Sequence, residues 1–149
     1  MRFLLDTNVI SESASKAPDA KVLSWLGEHL DDCALSAISL GEIWKGIHLL
    51  PAGKRKTALT RWADGVASDF SSITLALDTD VLRVWAKLCA KHEAKGSSLC
   101  VMDSLLAATA ISHGLTLATR NTKHFPPEVP MSIRGCESDQ PIAPLRDTI

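Results

Sequence analysis

An α/β domain, with a parallel sheet covered by helices on both faces, is the fold this chain predicts, and three observations carry that reading. Short apolar runs alternate with longer segments of helical periodicity along most of the sequence. Those runs are predominantly apolar instead of alternating with polar residues, as in strands buried from both sides. A length of 149 residues suits one core and is too short for two.

The elements follow in order. "FLL" (Phe3 to Leu5) reads as a buried strand, cut off by Asp6. "PDAKVLSWLGEHL" places Val22, Leu23, Leu26 and Leu30 at helical spacing, with Pro18 suited to the first turn. "CALSA" (Cys33 to Ala37) is a second strand, and "SLGEIWKGIHLL" sets Leu40, Ile43, Trp44 and Ile47 on one helical stripe. "PAGKRK" breaks that helix as a basic loop, and "TALTRWADGVASDF" begins another. "ITLAL" (Ile73 to Leu77) is a third strand. Asp78 and Thr79 are caps for "DVLRVWAKLCAKHEAKG", which Gly96 closes. "VMDSLLAATAISHG" is a mostly apolar helix ending at Gly114, followed by the strand "LTLATR". "PMSIRG" adds an edge strand. The polar, proline-containing end, residues 137–149, reads as a loose tail after a domain spanning 1–136.

Composition narrows the function. With 46% hydrophobic and 22% charged residues the chain is globular, not disordered. A net charge of −1 supplies no global positive field, so any nucleic-acid surface must be local. The first apolar run is too short for a signal peptide, and no stretch approaches a membrane span. Cys33, Cys89, Cys100 and Cys136 are widely spaced without a CxxC pair, which argues against zinc and for reduced thiols in a cytoplasmic protein.

Ligands of such a sheet gather beyond the carboxyl ends of its strands. Asp6 stands at that end of the first strand and Asn121 just past "LTLATR". Two more acids, Glu42 and Asp103, lie near helix starts. Singly, each has a plain structural reading. Asp6 suits the cap of a short helix in "VISES". Glu42 follows Ser39 at capping-box spacing. Asp103 favours a helix dipole, and Asn121 is a turn residue. Yet Val101, Met102, Leu105 and Leu106 surround Asp103, so a carboxylate there should be desolvated at a cost of several kcal/mol. Three acids converging with no basic sequence neighbour but Lys45 would be neutralised most simply by a divalent cation. Oxygen donors favour Mg²⁺ or Mn²⁺, which can activate water and offset charge on a phosphate under attack.

The segments "LLDTNVISE", "SAISLGEIWKGI" and "VMDSLLAATAISHGLTLATRNTKHF" resemble the PIN-domain family, specifically VapC-type toxins of bacterial toxin–antitoxin pairs and their FitB-like branch. The resemblance runs from Met1 to about Phe125. It implies a three-layer α/β/α domain with a central parallel sheet, and a Mg²⁺- or Mn²⁺-dependent endoribonuclease. It also implies a homodimer held inactive by an antitoxin, through which alone the protein meets DNA. Asp6, Glu42 and Asp103 match the family's metal-site acids, and Asn121 stands where many members carry a fourth acid. That departure bears on a second metal, not on the fold. Thr7 and Thr119 match supporting positions.

Other readings compete. "LLDTNV" also resembles the opening of haloacid-dehalogenase-type phosphatases, but Asn8 replaces their second acid. His29, His48, His92, His113 and His124 show no pair at the spacing of a metal-free ribonuclease. "GKRK", Lys45, Arg61, Arg120 and Lys123 are candidate RNA-phosphate contacts. Trp25, Trp44, Trp62 and Trp85 read as core or dimer interface. The rival to an enzyme is a binding module of the same fold, a PIN scaffold that mainly joins the antitoxin in a DNA-bound repressor.

Overall fold

The computed structural model describes residues 1–132. The expected tail over 137–149 and Cys136 lie outside them. Among the described residues five parallel strands form one sheet in the order β3-β2-β1-β4-β5. They are β1 (Phe3–Leu5), β2 (Cys33–Ser36), β3 (Thr74–Leu75), β4 (Thr116–Ala118) and β5 (Met131–Ser132). Six helices accompany them: α1 (Thr7–Ile10), α2 (Ala20–His29), α3 (Ala37–His48), α4 (Lys54–Asp69), α5 (Thr79–Glu93) and α6 (Val101–Ser112). No helix among the described residues is long and apolar enough to cross a membrane.

Pleating sorts the strand residues to opposite sides and so builds three layers. Phe3, Leu5, Cys33, Leu35 and Ala118 join a core with residues of α1 to α4, such as Val22, Ile43 and Leu59. Leu4, Ala34 and Leu117, one position off in register, enter a second core with Leu88 of α5 and Leu106, Ala107 and Ala110 of α6. Leu4, Leu5, Leu35 and Leu117 are completely buried, each worth roughly 1.5–3 kcal/mol of transfer free energy. The sheet grows from β1 through β2 to β3 on one side, then β4 crosses to the other side of β1. The direction of growth therefore reverses at β1, and the crevice beyond its carboxyl end is where such folds place ligands.

Helix ends follow local chemistry. The Asp78 side chain accepts from the Asp80 and Val81 amides to start α5. Gly96 and Gly114, past the ends of α5 and α6, take φ of 75° and 64°, a region open to glycine at little cost. Two expectations need correction. "GKRK" is not a loop, because Gly53 caps α4 and Lys54 to Lys56 form its first turn. Three cations oppose the dipole there, but the Lys56 ammonium donates to the carbonyls of His48 (3.0 Å) and Leu50 (3.1 Å), tying α4 to the end of α3. The capping box at Ser39 and Glu42 is also absent. Ser36 caps α3 by accepting from the Ile38 amide, and the Ser39 hydroxyl, one turn in, donates to the Leu5 carbonyl.

The tryptophans are packing residues for the most part. Trp25 meets Phe3 edge-on and stacks on His29, while Trp62 and Trp85 donate to the hydroxyls of Ser13 and Ser104. Trp44 alone of the four is exposed.

Candidate functional site

Asp6 follows β1 directly, and its amide continues the β1–β4 ladder by donating to the Ala118 carbonyl at 3.0 Å. Its own carbonyl accepts from Val9 and Ile10, so the main chain of Asp6 caps α1. The side chain makes no cap bond. Instead Asp6 Oδ2 accepts from the Thr119 hydroxyl at 2.6 Å and from Asn8 Nδ2 at 2.8 Å. The parallel register that pairs Leu5 with Ala118 brings Asp6 and Thr119 together across the sheet.

Thr119 is fully buried, and its hydroxyl uses its whole capacity of one donor and two acceptors. Besides donating to Asp6 it accepts from Asn8 Nδ2 (3.2 Å) and from the Asn121 amide (3.0 Å). Asn8 Oδ1 accepts from the Arg120 amide at 3.2 Å, which fixes the orientation of the Asn8 side chain and turns its donors toward the carboxylate. Asn8 thus stands where a phosphatase of the competing type would carry its second acid, and serves to hold the first.

Glu42, in the second turn of α3, accepts from the Thr7 hydroxyl at 2.8 Å. Asp103 lies in the first turn of α6. Burial drives the Asp6 carboxyl up from 3.8 to about 6, against the opposing Thr119 bond, and the charges of Glu42 and Asp103 raise it further. Burial likewise raises Glu42, opposed by its Thr7 bond; Asp103 adds to the rise and Lys45 lowers it. Asp103 is raised by burial as well, opposed by a bond to Cys100 and by His124, whose Nδ1 lies 3.8 Å from Asp103 Oδ2. The structure therefore brings the three predicted acids into one repulsive field at the carboxyl end of β1.

Asn121 joins this group through its main chain, while its side chain makes no cap bond to the turn it precedes. Thr7 and Thr119 each hold one of the acids. Among the described residues no group of three or more His, Cys, Asp or Glu side chains is placed so that it could hold a metal ion as it stands. The donor chemistry nonetheless suits a hard cation: three carboxylates, all made more basic by burial and two of them also by neighbouring acids, offset by hydrogen bonds from Thr119, Thr7 and Cys100 and by the charges of Lys45 and His124. Three other histidines are engaged elsewhere: His29 and His113 with main-chain carbonyls and His92 with Glu128.

Two residues escaped the sequence reading. Asn8 is one. The other is Glu12, only 3% exposed, whose carboxylate accepts from the Asp19 amide at 2.7 Å and from Arg120 Nη1 at 2.8 Å. Arg120, expected on an RNA phosphate, is turned inward to this buried acid instead, since an unpaired carboxylate there would cost several kcal/mol. Asn8, two residues from Asp6, was within sight of the sequence. The partner of Glu12 lies 108 positions away and was not.

Comparison with known proteins agrees with this geometry. The family model "PIN domain" matches residues 3–126. The VapC ribonuclease Y4jK of Sinorhizobium fredii is 38% identical over 124 residues, covering 82% of this chain and 89% of the relative. Toxin FitB of Neisseria gonorrhoeae shows the same identity and coverage. The crystal structure of FitAcB from Neisseria gonorrhoeae superposes with a TM-score of 0.76 at 38% identity, over 83% of this chain and 90% of that one. FitAB bound to an IR36 DNA fragment also gives 0.76, at 36% identity, over 83% of this chain and 87% of that one.

Proposed function

Because the chain belongs to the PIN-domain family, among its VapC- and FitB-like toxins, we propose that it is a Mg²⁺- or Mn²⁺-dependent endoribonuclease toxin of a toxin–antitoxin pair. The observation that carries the reading is that Asp6, at the carboxyl end of β1, lies within electrostatic reach of both Glu42 and Asp103, each of the three partly or wholly withdrawn from solvent. Asp6, Glu42 and Asp103 would hold the ion, and Asn121 would offer its amide oxygen. A bound ion would supply water of lowered pKa and offset charge on the phosphate, and the family resemblance implies a 5′-phosphate and a 3′-hydroxyl as the new ends. Thr119 and Asn8 orient the Asp6 carboxylate, and Thr7 orients that of Glu42. Exposed Lys45 and Lys123, three residues after Glu42 and two after Asn121, would be contacts for RNA phosphates. Incubating antitoxin-free protein with total RNA, with Mg²⁺ or with chelator, and mapping new ends tests the reading; ends that form equally in chelator refute it.

The reading also includes a cognate antitoxin as partner, a homodimeric toxin, a cytoplasmic site of action, and DNA contact only through the antitoxin; the FitAcB structure and FitAB bound to a DNA fragment support the partner and the DNA contact. Expression alone is expected to arrest growth, and co-expression of the antitoxin to relieve it. Equal arrest by wild type and Asp6→Asn would remove nuclease action as the cause.

Asn121 yields a further expectation. It presents one acceptor oxygen without charge, so three carboxylates balance one divalent ion better than two. Asn121→Asp should strengthen Mg²⁺ binding by more than ~1 kcal/mol at an effective dielectric of ~20, roughly fivefold in affinity. Calorimetric titration of both proteins measures this, and equal or weaker binding by the variant would leave Asn121 as a turn residue.

A further inference from the structure

Behind the acid cluster lies a second layer that the reaction chemistry does not touch. Glu12, in the 3₁₀ turn after α1, has a side chain 4% exposed, and its two oxygens are taken by the Asp19 amide and Arg120 Nη1. The Arg120 side chain is itself only 24% exposed. Its main-chain amide donates to Asn8 Oδ1, and Asn8 Nδ2 donates to Asp6 Oδ2. A continuous path therefore runs from the buried ion pair, through the main chain of the loop after β4, to the carboxylate at the centre of the site.

We infer that Glu12 and Arg120 are positioning residues for the site, an ion pair that clamps the loop after β4 so that Arg120 holds Asn8 and Asn8 holds Asp6. Its kinetic consequence rests on the nuclease reading; its structural consequence does not. A general argument and one observation favour positioning over a purely structural staple. Buried ion pairs are commonly replaceable by neutral residues at little cost in stability, so the fold itself makes weak demand for these charges. In addition, the Arg120 residue it anchors supplies the main-chain donor on which the Asn8 orientation depends. The geometry also opposes a role on RNA, because Nη1 is spent on Glu12 and Nε is buried without a partner. A guanidinium held through one nitrogen makes a contact that a lysine ammonium can also make, unlike a bidentate fork.

The test compares wild type with Arg120→Met, Glu12→Gln, the double variant Glu12→Gln/Arg120→Met and the conservative Arg120→Lys. The double variant leaves no orphan buried charge; should it fail to fold, Glu12→Gln, which keeps an acceptor for the Asp19 amide, takes its place. The first readout is the Asn8 side-chain amide by ¹H–¹⁵N NMR in metal-free, RNA-free protein. Its resonances should shift toward free-amide values and its protons exchange faster in the neutral variants, and return toward wild type in Arg120→Lys. The second readout is RNA cleavage with Mg²⁺, where kcat should fall about tenfold to a hundredfold with KM unchanged. An Asn8 amide unmoved in the folded neutral variants overturns the inference. So does a raised KM with intact kcat, which would return Arg120 to RNA binding. If wild type itself cleaves no RNA, the nuclease reading fails while the Asn8 signal still decides the clamp.

Discussion

Asp6→Asn, Glu42→Gln and Asp103→Asn should each lower RNA cleavage by about three orders of magnitude or more, the several kcal/mol of charge stabilisation that a bound ion would contribute. Each replacement is nearly isosteric and keeps an acceptor oxygen. The amide introduced by Glu42→Gln can still receive the Thr7 hydroxyl, and the one introduced by Asp6→Asn that of Thr119. What disappears is one negative charge of three. The loss should therefore appear in activity and in Mg²⁺ affinity, with the fold and the oligomeric state unchanged by circular dichroism and gel filtration. Asp6→Asn should be the most severe, since Asp6 is the most deeply buried of the three and repelled by both others. Full, chelator-sensitive activity in any two of these variants would dissolve the metal-site assignment.

In chelator, the protein should lose stability as pH rises through 6, and Asp6 is the largest identified reason. Its folded-state pKa of about 6 exceeds the ordinary 3.8, so the folded chain binds the proton more tightly than the unfolded one. The stabilisation is complete below 3.8, where it amounts to roughly 3 kcal/mol, and is gone once pH has passed 6. Between pH 5 and pH 7 the change is on the order of 1 kcal/mol, or about 3 °C in Tm for a domain of this size. Glu42 and Asp103, raised for the same reason, add in the same direction. Asp6→Asn removes the largest contribution, so its advantage over wild type should widen from pH 5 to pH 7. Mg²⁺ reverses the trend in wild type, because the ion binds the ionised site and stabilises it by mass action. Melting curves of both proteins at pH 5, 6 and 7, with and without chelator, decide the matter; a difference that stays constant with pH excludes Asp6 as the cause.

The parts of this fold that rest on local pattern were readable before any coordinates. Apolar runs located β1, β2 and β4, and the switch to helical spacing located α2, α3, α5 and α6. "ITLAL" was read as five residues of strand, but β3 pairs over only Thr74–Leu75, because its length depends on the neighbouring strand and not on its own composition. Ser39 and Glu42 had the spacing of a cap, yet the helix had already begun at Ala37 under the closer cap of Ser36. The three acids were found because carboxylates at strand ends and helix starts are conspicuous. Their supports were less so. Thr119 meets Asp6 across 113 positions and Arg120 meets Glu12 across 108, and a single sequence carries no local trace of such pairings.

The central place of β1 has a consequence for the timing of synthesis. β1, which precedes the other described strands, is paired on one side with β4, and Asp6 takes its shortest bond from Thr119. Until residue 119 has been joined to the chain, β1 has only one of its neighbours and Asp6 lacks the hydroxyl that orients it. At roughly 5–20 residues per second, that interval lasts on the order of ten seconds on the ribosome. On the proposed role of Asp6, its carboxylate would therefore take up its orienting bond only after the β4 segment has been made.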